Sequence, residues 1–265
     1  MHATHREKEI MDELRLLGSC RIQDLAKRLE VSEETIRRNI KKLAENGLVR
    51  KVHGGVYLSD AAQEATFTQR MNVGTDAKRQ IAAQVASRIT HGSSLILDIG
   101  STTAYVAQAL RGHHELFIVT NSVAVAQTLA TRNKNRVFLA GGELRSHDAG
   151  AFGKEAITYV RQFNVNYAIL SAAAINATNG FMLHDMQEAE FSREILSRAE
   201  QSIVAADASK FGREAPICIG TPDIIDILVT DKSPPADIYT YLSENGVEID
   251  CVSEQASAGT ANAAE

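Results

Sequence analysis

The chain has 265 residues, 44% of them apolar and 23% charged, with a formal net charge of −5, which is ordinary usage for a soluble globular protein. That length allows one large domain or two smaller ones and a sizeable core, built from Ala, Val, Ile and Leu because Trp is absent and aromatic residues are only 5%. No apolar run approaches the ~20 residues that span a bilayer, the start lacks a signal-peptide core, and Cys20, Cys218 and Cys251 make neither a CxxC pair nor a disulfide framework. A membrane protein, a disulfide scaffold, a zinc ribbon and a mostly disordered chain are thereby excluded, and a cytoplasmic location is expected.

The charge is unevenly distributed. Residues 1–58 carry 12 Lys and Arg against 9 Asp and Glu, a balance of +3, whereas residues 59–265 carry 16 against 24, a balance of −8. In the basic segment Ile10, Met11, Leu14 and Leu17 recur at helical spacing before Gly18. A second apolar pattern, Ile22, Leu25, Ala26 and Leu29, is followed by the short connection Glu30-Val31-Ser32. Ser32 is suited to cap the next helix, whose apolar face is Ile36, Ile40, Leu43 and Ala44 and which closes at Asn46-Gly47. Two short helices joined by a tight turn form a helix-turn-helix.

The outward face of the second helix is expected to present Thr35, Arg37, Arg38, Asn39, Lys41 and Lys42, with Ser32 at its start. Arg and Lys neutralise phosphates, and Arg and Asn pair with base edges. Val49 to His53 alternates like a strand, Gly54-Gly55 supplies a turn, and Val56-Tyr57-Leu58 returns. Arg50, Lys51, His53 and Gly54 would then form a basic wing beside the DNA backbone. A charge run alone is usually a solvated helix face. Here its place on the second helix of a capped pair, followed by a basic hairpin, favours double-stranded DNA as partner.

These residues resemble the N-terminal domain of the DeoR family of bacterial transcriptional regulators. The resemblance runs from Arg6 to Gly55 through Ile22-Gln23-Asp24-Leu25-Ala26, Val31-Ser32, Thr35-Ile36-Arg37-Arg38, Leu43, Gly47 and Arg50-x-x-His53-Gly54-Gly55. Two positions depart from the family pattern: Asn39 stands where Asp is usual, and Glu30 where Gly is frequent in the turn.

Residues 59–76 are polar and aperiodic and are expected to be a linker, with Phe67 and Arg70 docking on the next domain. Residues 77–252 then alternate short apolar runs with helical patterns. The expected strands are Ser94–Asp98, Leu116–Thr120, Arg136–Ala140, Tyr167–Ser171, Ser202–Asp207 and Asp226–Thr230, and the expected helices 77–90, 102–110, 122–131, 153–162, 187–200 and 235–244. Near-continuous Val/Ile/Leu runs suit strands covered on both faces, so an α/β domain with a largely parallel sheet is expected. Residues 253–265 are small and polar and read as a flexible tail.

In such sheets ligands sit beyond the carboxyl ends of the strands. Those positions hold Asp98, Gly100, Ser101, Thr102 and Thr103; Thr120, Asn121 and Ser122; Gly141 and Gly142; and Asp207 with Lys210. Hydroxyls opening a helix suit a phosphate, glycines let backbone approach a ligand, and Lys210 adds positive charge. No GxGxxG or GxxxxGK[ST] motif occurs, so no dinucleotide or other cofactor is expected. His113-His114 and His184-Asp185 are poor metal candidates, since adjacent side chains diverge.

The resemblance extends here too, through Asp98-x-Gly100-Ser101-Thr102, Val119-Thr120-Asn121-Ser122, Gly141-Gly142 and Asp207-x-Ser209-Lys210-Phe211-Gly212, which are similar to the DeoR-family sensor domain. It implies a fold like ribose-5-phosphate isomerase and the CoA-transferase group, and a phosphorylated sugar or polyol as effector. Leu139–Ser146 with Ser209–Arg213 most resembles the glycerol-3-phosphate repressor branch, and Glu188 is the expected hydroxyl ligand at the specificity end. The expectation is a repressor of a carbohydrate or polyol operon, released by its effector and acting as a homodimer or homotetramer. The alternative is a sugar-phosphate isomerase using Asp98, Glu188 or Asp207 as base, which no residue constellation fixes.

Overall fold

The computed structural model describes residues 5–17, 19–46, 48–52, 55–58 and 67–252. They fall into two compact units, one within Met1–Ala65 and one within Thr66–Glu265.

In the first unit three helices, α1 (His5–Leu17), α2 (Ile22–Arg28) and α3 (Glu33–Glu45), pack with a small antiparallel sheet. Strands β1 (Ser19–Arg21), β2 (Val49–Val52) and β3 (Gly55–Leu58) lie in the order β1-β3-β2. Ile10 and Leu14 of α1, Leu25 of α2, Ile36, Ile40 and Leu43 of α3 and Val56 of β3 form the core. These are the i, i+3, i+4 positions of the sequence pattern, which is what lets so short a segment bury a common apolar face. β2 and β3 pair from Val49↔Leu58 to Val52↔Gly55, a wing hairpin.

The second unit is built on seven parallel strands: β4 (Ser94–Leu97), β5 (Phe117–Thr120), β6 (Arg136–Leu139), β7 (Val165–Leu170), β10 (Ala199–Ala205), β12 (Ile227–Thr230) and β13 (Glu248–Cys251). Their order is β13-β12-β10-β7-β4-β5-β6. The chain builds outward from β4 in one direction and then from β7 in the other. β4 and β7 therefore flank the topological switch point, where open α/β sheets hold ligands. One face is covered by α5 (Thr75–Arg88), α6 (Ser101–Ala109) and α7 (Val123–Leu129), through Ile81, Val85, Val106 and Leu129. The other is covered by α8 (Lys154–Val160), α9 (Met186–Leu196) and α10 (Ala236–Glu244), through Val160, Phe191, Ile195 and Leu242. Alternation along the strands supplies both cores: Leu95 and Leu97 face one side and Ile96 the other.

Several expectations change. Residues 59–76 are not uniformly a linker: Phe67–Met71 forms a helix, α4, and α5 begins at Thr75. The Tyr105 hydroxyl donates to Met71 O, and Lys78 Nζ to Arg70 O and Val73 O. Residues 59–66, and the expected tail 253–265, lie outside the described residues. The sequence reading also missed β13, and a small antiparallel sheet of β8 (Ala174–Asn176), β9 (Gly180–Leu183) and β11 (Ile217–Cys218). Among the described residues no helix is long and apolar enough to cross a membrane.

Candidate nucleic-acid interface and effector site

The α2–α3 turn is a helix-ending motif with a residue in an unusual conformation. Val31 N donates to Ala26 O and Glu30 N to Lys27 O, while Glu30 takes φ +52°. This is the double hydrogen-bond closure in which the residue after the cap is left-handed, a place that favours glycine. Ser32 then caps α3: its Oγ accepts from Thr35 N at 3.3 Å and lies 2.9 Å from Thr35 Oγ1.

Arg37, Arg38, Lys41 and Lys42 are exposed on α3. Arg37 pairs with Glu33 at 3.0 Å, Lys41 with Glu45 at 4.0 Å and Lys42 with Glu7 at 4.0 Å. The Arg37–Glu33 and Lys41–Glu45 pairs are exposed, and exposed pairs are worth little and exchange readily for phosphates; Glu7, by contrast, is buried. Ser32, Thr35, Arg37, Arg38 and Lys41 line one surface concavity together with Lys51 of the wing. Asn39 corrects the sequence reading: it is buried and its Nδ2 donates to Thr35 O at 2.8 Å. It follows Ile36 by three residues and precedes Leu43 by four, so it turns inward with them. The Arg50 side chain, His53 and Gly54 lie outside the described residues.

In the second unit the expected residues gather at the carboxyl ends of β4, β5 and β10. Asp98 follows β4 and is buried; its Oδ2 accepts from Ser171 N, the first residue after β7. Gly100 sits against the same residue, and a Cβ there would collide with Ser171 Oγ. The two loops of the switch point are thus in direct contact. Burial pushes the Asp98 carboxyl well above the usual carboxylate range; Glu188 adds to this, and the Ser171 amide, Thr103 and Arg70 oppose it.

Ser101 and Thr102 open α6 and are buried. Thr103 Oγ1 donates to Asp98 O and Gly100 O, Thr120 Oγ1 accepts from Ser122 N, and Ser122 Oγ caps α7 by accepting from Val125 N. These three hydroxyls hold the loops in shape. Gly141 and Gly142 lie on an exposed stretch after β6, and Gly142 has φ +133°. Lys210 ends the short turn Ala208–Lys210, which buried Asp207 caps through Ser209 N.

Glu188, expected as a hydroxyl ligand, is ion-paired with Arg145 at 2.5 Å. Arg145 also binds Asp148, approaches Asp185 at 3.6 Å and lies over the Phe152 ring, 4.1 Å from its centre. One guanidinium thus ties the 141–153 loop to α9 through Asp148 and Glu188. A glutamate on α9 carries no mark of such a partner in sequence.

Two further cations at this end of the sheet were not singled out as site residues. Lys78 is buried, and burial pushes its ammonium below the usual lysine range; Asp207 offsets this, whereas Lys210 and Arg70 add to it. Its signal was available, because Lys78 lies on the same stripe as Ile81, Ala82 and Val85. Arg70 sits on α4 and acts on both Asp98 and Lys78. Among the described residues no group of three or more His, Cys, Asp or Glu is placed to hold a metal ion.

The chain matches two family models: the DeoR-like helix-turn-helix domain over residues 6–62 and the DeoR C terminal sensor domain over residues 74–232. It is 34% identical over 250 residues to the glycerol-3-phosphate regulon repressor of Escherichia coli (strain K12), covering 94% of this chain and 99% of that one. It is 36% identical over 232 residues to the HTH-type transcriptional repressor CsqR of the same strain, covering 88% and 89%. Among solved structures, ribose 5 phosphate isomerase A from Neisseria gonorrhoeae shares 17% identity over 56% of each chain with a TM-score of 0.36.

Proposed function

The chain belongs to the DeoR family of helix-turn-helix transcriptional repressors, and from that premise we propose that it represses a carbohydrate or polyol catabolic operon and leaves its operator when a phosphorylated sugar or polyol binds the second unit. Repressors of this family are not enzymes, so the isomerase alternative falls.

The observation that carries the DNA reading is the shared concavity of Arg37, Arg38, Lys41 and Lys51 beside the start of α3. The amino-terminal part of a recognition helix is the part that meets bases. Ser32 and Thr35 stand there, while the cations hold phosphates on either side. Arg50, His53 and Gly54 complete the proposed wing contacts. Helix-turn-helix proteins usually occupy paired half-sites, so the acting species is a homodimer or homotetramer.

For the effector, Ser101 and Thr102 with the α6 amino terminus receive the phosphate, and Lys210 supplies its counter-charge. Thr103, Thr120 and Ser122 shape the loops around it, Gly141 and Gly142 let the covering loop approach, and Glu188 acts through Arg145. The regulon named for one relative, glycerol 3-phosphate, supports a phosphorylated polyol or sugar as effector. Binding must favour a conformation with different DNA affinity, since equal affinity for both states shifts nothing.

The test is a titration of the protein against its own upstream DNA and a scrambled duplex at physiological salt, with and without a panel of sugar and polyol phosphates. Preference for the upstream duplex, lost on adding one of the esters, is expected. Equal binding to both duplexes refutes the reading. Lys210→Ala is expected to keep DNA binding and lose release, and normal release removes Lys210 from the site.

A further inference from the structure

The concavity at the start of α3 has one acidic member. Glu34 lines it beside Arg37, Arg38, Lys41 and Lys51, and its side chain is exposed. The other acid of the first turn, Glu33, is committed to Arg37 at 3.0 Å. Glu34 makes no ion pair among the described residues, although Arg38 follows it by four positions and Lys41 by seven, on the same stripe of the helix. An uncommitted carboxylate thus stands among cations on the face that meets DNA.

Phosphates repel a carboxylate, so an acid on this face is compatible with a duplex only where it meets a hydrogen-bond donor on a base edge. An ionised carboxylate accepts hydrogen bonds and donates none. The donors in the major groove are the N4 amine of cytosine and the N6 amine of adenine. Adenine sets its acceptor N7 beside the amine, which opposes a carboxylate, whereas cytosine carries no acceptor of its own there. The amino-terminal residues of a recognition helix are the ones that reach base edges, and Glu34 is the second residue of α3.

We propose that Glu34 selects a C·G pair in each half-site, its carboxylate accepting from the N4 amine of cytosine. The proposal rests on the reading above that α3 enters an operator, and adds the base that is chosen and the residue that chooses it. A carboxylate in the first turn also complements the helix dipole, but that role acts on stability and is blind to base identity.

Full-length wild type, Glu34→Gln and Glu34→Ala are each used to select duplexes from a random library at physiological salt, and single-pair variants of the enriched motif are then compared in competition binding. Wild type is expected to prefer C·G over every other pair by about tenfold or more at one position of each half-site. Glutamine keeps the length and brings an amide suited to adenine N6 and N7, so Glu34→Gln is expected to move that position to A·T and leave the rest of the motif unchanged. Glu34→Ala is expected to accept all four pairs there within about threefold and, freed of repulsion, to bind scrambled duplex more tightly than wild type does. If both variants enrich the wild-type motif unchanged, Glu34 reads no base and the proposal is overturned while the DNA reading of α3 stands. A wild-type position other than C·G that responds to Glu34 overturns the cytosine assignment, and loss of all DNA binding in both variants makes the residue structural and overturns it equally. If wild type enriches no motif, the DNA reading falls and the proposal with it.

Discussion

Glu30→Gly is expected to stabilise the DNA-binding unit. A side chain held in the left-handed region costs about 1–2 kcal/mol, and Glu30 at φ +52° bears that cost at the end of α2. Glycine removes it but frees the unfolded chain, which gives back about 0.4–1 kcal/mol. The net gain is about 1 kcal/mol, and in a unit of this size each such increment raises Tm by about 4–8 °C. The hydrogen bonds Val31 N to Ala26 O and Glu30 N to Lys27 O are backbone bonds that glycine retains. Calorimetry of the full chain measures the shift, and hydrogen exchange in peptides spanning residues 22–45 assigns it to this unit. Glu30→Ala is the control, because it removes the carboxylate and keeps the Cβ. If Glu30→Gly is no more stable than Glu30→Ala, the turn is not left-handed at this residue and the account of the motif is wrong.

Arg38→Ala should weaken operator binding and lower the slope of log affinity against log salt by about 0.9, the value of one phosphate contact; an unchanged slope means that Arg38 touches no phosphate. Asp98 keeps a proton in the folded state at pH values where the unfolded chain has lost it, because burial and Glu188 outweigh the Ser171 amide, Thr103 and Arg70. Stability of the second unit therefore falls as pH rises from the usual carboxylate range through the raised value. Asp98→Asn should abolish that fall, and parallel urea-melt profiles for variant and wild type across about pH 4–8 would contradict it. Gly100→Ala should destabilise the second unit by about 1–3 kcal/mol through overpacking against Ser171. Adding Ser171→Ala should recover part of the loss in thermal melts, and strictly additive effects would show that the two residues do not touch.

The central strands were legible because burial on both faces leaves little room for polar residues: Leu95-Ile96-Leu97 and Ile118-Val119 feed both cores. The edge strand β13, Glu248–Cys251, was not, because half its residues are polar and its burial is uneven. Strand β10 begins at Ala199 rather than Ser202, since its first residues are partly exposed and carry Glu and Gln. The loops of the effector site were legible through hydroxyl and glycine clusters at strand ends. Which hydroxyls merely hold a loop was not, because a cap and a ligand use the same atoms. Asn39 was misplaced by counting charge and polarity and neglecting its i+3 relation to Ile36. Arg145 escaped, and Arg70 was expected only to dock on the second domain, because a single arginine in a loop or short helix has no pattern; only folding brings them near Glu188 and Asp98.

The sheet order sets a timetable for synthesis. The contacts of the first unit close within its own few dozen residues, but the central pair β4 and β7 joins residues about 70 positions apart. Topologies that depend on distant pairings form late. At about 5–20 residues per second on the ribosome, the DNA reader is fully made roughly 5–20 s before β7 has emerged. A nascent chain thus owns its operator-recognising part before it owns any means of responding to a metabolite.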